Sequence, residues 1–101
     1  MGKQPFVAFR KEVNRELRRA LTSEDVTLDD LCDIVVGIAR KCGVEVYDVL
    51  DEWGVGDTYW TYGRGFVFRR GRHCYEVELI VEGCGDVIER AKLTSFHRRA
   101  I

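Results

Sequence analysis

Apolar residues recur at steps of three and four over residues 5–21: Phe6, Phe9, Val13, Leu17, Ala20 and Leu21. That spacing predicts a helix with one apolar stripe. Pro5 suits its first turn, where a missing N–H costs nothing. Lys11, Arg15, Arg18 and Arg19 fall on the opposite face, with Glu12 and Glu16 three residues before Arg15 and Arg19, within reach of local ion pairs. The pattern breaks over 22–27. Thr27 then fits an N-cap, with Asp30 at the capping-box position and Asp29 in the first turn. Leu28, Leu31, Val35, Ile38 and Cys42 make a second stripe, widened by Ile34, Val36 and Ala39, and Gly43 is the expected C′ residue. Val46, Val49, Leu50 and Trp53 repeat the helical spacing once more, with Glu45, Asp48, Asp51 and Glu52 mostly opposite. A short third helix is therefore expected, ended by Gly54 and Gly56, so that residues 5–54 read as helical.

The period then changes to two. Trp60, Tyr62, Phe66 and Phe68 share one parity in 58–70, and Tyr75, Val77, Leu79 and Val81 share one in 74–82. A turn at Arg70-Gly71 pairs Phe68 with His73, Phe66 with Tyr75, Tyr62 with Leu79 and Trp60 with Val81, so the two apolar faces coincide. A loop at Gly83-Cys84-Gly85 sets Val81 beside Val87, Glu78 opposite Arg90 and Glu76 opposite Lys92, which favours a third strand. Glu89 and Arg64 sit awkwardly on the apolar face, and a bulge at Gly63-Arg64-Gly65 would turn Arg64 outward. Residues 97–101 read as a frayed basic tail. The expected fold is α+β: two or three N-terminal helices packed on a C-terminal three-stranded antiparallel meander over 58–96, in a single domain of residues 1–101.

The chain has 101 residues and is 46% hydrophobic, enough for one core and too apolar for a disordered segment. No apolar run approaches the ~18 residues a membrane span needs. Residues 1–21 alternate apolar and charged positions, which is not a secretory pattern. A cytoplasmic protein is expected, with Cys32, Cys42, Cys74 and Cys84 as free thiols.

Charge is sorted along the chain. Residues 1–21 carry six Lys/Arg against two acids (+4), 22–57 two against ten (−8), and 58–101 eight against five (+3), which sum to −1. An acidic middle and basic ends constrain which surfaces meet which partners.

Candidate chemistry is sparse. Residues 58–75 interleave aromatics with Arg64, Arg69, Arg70 and Arg72, as single-strand nucleic-acid binders do. The register places most of these aromatics in the core, leaving an arginine cluster at one turn. Ile38-Ala39-Arg40-Lys41-Cys42-Gly43-Val44, followed by Val49, resembles the Ala-x-x-x-Gly-Val spacing of DNA-binding helix-turn-helix proteins. That resemblance implies a recognition helix over 45–53, which here would carry four acids and no cation, and phosphate repels such a face. No cysteine or histidine pair has the two-to-four-residue gap of a structural zinc site, so no metal or cofactor is expected. Cys84, placed in a loop, is a candidate reactive thiol. No phosphate-binding loop or catalytic triad is legible, and an enzyme is not expected.

The expected function is that of a small non-enzymatic protein-binding module, an adaptor or inhibitor. It presents Asp48, Asp51, Glu52 and Asp57 to a basic partner, such as a nucleic-acid-binding protein. The alternative is nucleic-acid binding through Arg64, Arg69, Arg70 and Arg72. Exposed edges at 58–62 or 87–95 would also permit a homodimer.

Overall fold

The computed structural model describes residues 5–23, 25–94 and 97–99. Two helices, α1 (Pro5–Ala20) and α2 (Leu28–Lys41), precede the strands β1 (Glu45–Gly56), β2 (Tyr59–Arg70), β3 (His73–Cys84), β4 (Val87–Leu93) and β5 (His97–Arg99). The strands form one antiparallel sheet in the order β1-β2-β3-β4, and β5 pairs with β3 beyond β4. The architecture is α+β as expected, but with four or five strands instead of three.

Local chemistry sets the helix ends. The Thr27 hydroxyl accepts from the Asp30 amide at 3.2 Å and the Asp30 carboxylate accepts from the Thr27 amide at 3.0 Å, closing the capping box. At the other end, the Gly43 amide donates to the Arg40 carbonyl and the Val44 amide to the Ala39 carbonyl, with Gly43 at φ 71°. This is the Schellman pattern, and Val44 is buried against the helix it terminates.

One face of the sheet packs on both helices. Phe66, Phe68, Val77, Leu79, Val81, Ala91 and Leu93 meet Phe6, Phe9, Val13 and Leu17 of α1 and Leu31, Val35, Ile38 and Ala39 of α2. Edge-to-face ring contacts join them, Phe9 to Phe68 at 5.2 Å and Phe6 to Tyr75 at 4.4 Å between centroids. Glu12 bridges to Lys41 at 3.2 Å, tying α1 to α2, while Glu16 pairs with Arg19 as its spacing implied.

The expected third helix is strand β1. Its pairing with β2 slips between Val46 and Asp48 and again between Val49 and Glu52. Each bulge adds a residue and flips the alternation of faces. Val46 and Val49 thereby lie opposite Phe68 and Phe66 on the helix-facing side, while Leu50 and Trp53 lie over Gly65 and Gly63 on the other. Two bulges have produced the spacing i, i+3, i+4, i+7 in a strand. The helix-turn-helix echo has no second helix here.

The β2–β3 register differs by two residues from the expected one. Gly71-Arg72 is the loop, Gly71 takes φ 63°, and Phe68 faces Tyr75, Phe66 faces Val77 and Tyr62 faces Val81. A shift of two preserves the faces, so hydrophobic pattern alone does not distinguish the registers. The β3–β4 loop is Gly85-Asp86, with Gly85 at φ 58°. Cys84 therefore ends β3 as a half-buried strand residue, not in a loop. A slip between Glu82 and Gly83 accommodates Glu89, and Arg90 faces Glu82, to which it bonds at 3.2 Å, instead of Glu78. Lys92 faces Ile80 instead of Glu76. Residues 97–99 are strand β5, not a frayed tail; residues 95, 96, 100 and 101 lie outside the described residues.

Candidate functional site

The four acids proposed for a partner surface share one strand and its turn. Asp48 and Glu52 stand on β1 opposite Val67 and Arg64, Asp51 lies within the second bulge, and Asp57 occupies the turn into β2. At a strand rise of 3.2–3.4 Å per residue they extend over roughly 30 Å. Among the described residues, Asp51 and Asp57 have no ion pair, and Glu52 reaches Arg64 only at 3.9 Å.

Apolar side chains stand beside these acids. Tyr47 (54%), Val49 (42%), Trp53 (40%) and Val55 (61%) on β1, with Tyr59 (75%) after the turn, make up five of the seven exposed large hydrophobics among the described residues. Every residue from Asp51 to Tyr59 is exposed. Singly exposed apolar residues are ordinary; here they follow one another along a single strand and its turn, with Val49 on the helix-facing side and Trp53 and Val55 on the other. Composition carried a signal for this: Val44, Val46, Tyr47, Val49, Trp53 and Val55 are the β-branched and aromatic types that strands favour.

The strand end is held firmly. Gly56 has φ 103°, and a Cβ there would overlap the Tyr59 backbone, so only glycine fits. The Trp60 indole donates to the Gly85 carbonyl at 2.8 Å and the Gly85 amide donates to the Thr58 carbonyl at 2.8 Å, tying the β1–β2 turn to the β3–β4 turn. On the outer face, the Trp53 ring lies across Gly63 and its indole N–H donates to the Glu78 carboxylate.

The sheet's two edges are not alike. The β4 edge is sealed at Leu93, whose amide donates to the Asn14 side chain at 2.7 Å and whose carbonyl accepts from Arg10 Nε at 3.3 Å. Among the described residues, the β1 edge has no strand beyond it. This corrects one of the expected dimer edges: residues 59–62 lie in β2, an interior strand, whereas β4 is an edge strand that α1 bonds at its Leu93 end.

The arginines of the alternative reading are dispersed. Arg64 remains on the helix-facing side, because β2–β3 pairing runs without a bulge. It sits beside Tyr62 and Glu52, six residues and roughly 20 Å along the strand from Arg70. Arg69 pairs with Glu45 at 3.5 Å and stacks over Tyr47 at 5.7 Å. Arg70 and Arg72 are exposed at the β2–β3 turn, and β5 adds Arg98, bonded to His73 Nδ1 at 2.7 Å.

Under α2, Tyr62, Arg64, Glu52 and Cys32 meet. Burial and the neighbouring Glu52 push the Tyr62 phenol up to about 12. Burial also raises the Cys32 thiol, partly offset by Tyr62 and Arg64. A thiol raised in this way is held protonated, which lowers its nucleophilicity. All four cysteines are unpaired. Among the described residues no three His, Cys, Asp or Glu side chains are placed to hold a metal, and no helix is long and apolar enough to cross a membrane. A recess of about 470 Å³ between the end of α1 and β4 is lined by Arg18, Leu21, Ile80, Glu82, Arg90 and Lys92.

No protein-family model, curated protein or solved structure matches this chain.

Proposed function

We propose that the protein is a small non-enzymatic binding module, an adaptor or inhibitor, that docks a basic protein partner along β1. The observation that supports this most is the coincidence, on the β1 edge of the sheet, of exposed Tyr47, Val49, Trp53 and Val55 with Asp48, Asp51, Glu52 and Asp57. Exposed aromatic and aliphatic side chains supply area to bury, and the acids steer and select a cationic surface. A nucleic-acid-binding protein would present such a surface. The cytoplasm is the proposed compartment, where the four thiols remain reduced.

The test is affinity capture from the native host with wild-type protein and with Asp48→Lys, Asp51→Lys and Glu52→Lys combined. The proposal expects a stoichiometric protein that survives nuclease and is lost from the triple variant. Equal capture by both, or enrichment that disappears with nuclease, contradicts it. The second outcome would favour nucleic acid at Arg70, Arg72 and Arg98, which share one end of the sheet.

A further inference from the structure

The two bulges of β1 and its acids have an alternative purpose, since bulges and charges protect edge strands from unwanted pairing. Their placement limits that protection. Both slips lie between Val46 and Glu52, whereas Glu52, Trp53, Gly54, Val55 and Gly56 pair in unbroken register with Arg64, Gly63, Tyr62, Thr61 and Trp60. This stretch, free of bulges, can template a further strand. Gly54 and Gly56 offer no side chain to obstruct one, and Trp53 and Val55 stand exposed to receive its apolar side chains. The opposite edge lacks this freedom at its Leu93 end, where Asn14 and Arg10 bond the backbone.

Resting on the reading of β1 as the docking surface, we infer that residues 52–56 accept an extended cationic segment of the partner as an added strand. Strand addition supplies main-chain hydrogen bonds for affinity, and alternate side chains supply specificity. The occupant is cationic because residues 45–57 carry five acids and no Lys or Arg. A second copy of β1 would bring those acids against their own kind, which opposes pairing.

The experiment titrates the isotope-labelled protein with a short peptide of alternating lysine and valine, blocked at both ends. Two further peptides carry N-methyl groups on either alternate set of amides, which leaves charge intact and removes one edge's donors. The inference predicts amide shifts concentrated at 52–56. It also predicts at least about a tenfold loss of affinity for one methylated peptide, and a similar loss for the unmethylated peptide with Asp51→Lys, Glu52→Lys and Asp57→Lys combined. Equal binding by all three peptides, weakened by the charge reversals, overturns strand addition while leaving charge-based docking in place. No binding, or binding insensitive to the reversals, overturns both. Sedimentation of the protein alone supplies the remaining outcome: a dimer abolished by the same reversals would assign this edge to a second copy and overturn the inference.

Discussion

The Leu93 amide donates to the Asn14 side chain at 2.7 Å, across 79 residues of sequence. With Arg10 on the carbonyl of the same residue, α1 satisfies the backbone groups that would otherwise invite another strand onto the Leu93 end of β4. The proposed docking edge, β1, has no strand beyond it among the described residues.

Replacing Asn14 by Ala leaves a partly buried amide without its acceptor. Such a loss costs about 1–3 kcal/mol. Chemical denaturation should show that destabilisation, and hydrogen exchange at the Leu93 amide should accelerate. Asn14→Asp, which retains an acceptor oxygen, should recover most of the loss. If Asn14→Ala matches the wild type in both measurements, the edge is not closed by this contact.

Gly63 lets the Trp53 ring lie flat on β2. A Cβ at position 63 would overlap that ring, whereas the β2 backbone has no reason to move. Gly63→Ala should therefore keep the fold, lift Trp53 from the sheet and break its bond to Glu78. With Trp60→Phe removing the second indole, tryptophan emission should shift to the red and acrylamide quenching should rise. Unchanged emission would show that Trp53 does not rest on Gly63.

Tyr62 gives stability a definite alkaline dependence. Its phenol is raised from 10.0 to about 12 by burial first and by Glu52 second. The folded state retains the proton after the unfolded chain has lost it, so the contribution is complete below pH 10 and is lost as pH rises towards 12. Each unit of displacement corresponds to about 1.4 kcal/mol. Denaturation midpoints measured at intervals from pH 9 upward should fall more steeply for wild type than for Tyr62→Phe. Parallel curves would contradict the account.

The helices were legible because their signals are local. Thr27 with Asp30, and Gly43 after Lys41, mark the ends of α2 within a few residues of sequence. The meander's core face was equally legible from the parity of Phe66, Phe68, Val77 and Leu79. Registers were not, because a slip of two residues in β2–β3, or of four in β3–β4, keeps every side chain on its face and only turn geometry at Gly71 and Gly85 decides between them. β1 was hidden for a sharper reason: its two bulges rearrange Val46, Val49, Leu50 and Trp53 into helical spacing. The acids of the proposed site lie on β1 and its turn, not on the helix their spacing suggested. Tyr47, Val55 and the α1 contact at Leu93 were missed, since edge exposure depends on strand order, which no local pattern records.

Val55 and Val87 provide a matched pair for the most direct measurement. Both are 61% exposed, one on the β1 edge and the other on β4. Placing a photo-crosslinking amino acid at each position in turn, in the native host, compares two equally accessible strands that differ in the edge they represent. The account predicts a protein adduct, with a basic partner, at position 55 and none at 87. An adduct at 87 alone, or nucleic acid as the crosslinked species at 55, would contradict it.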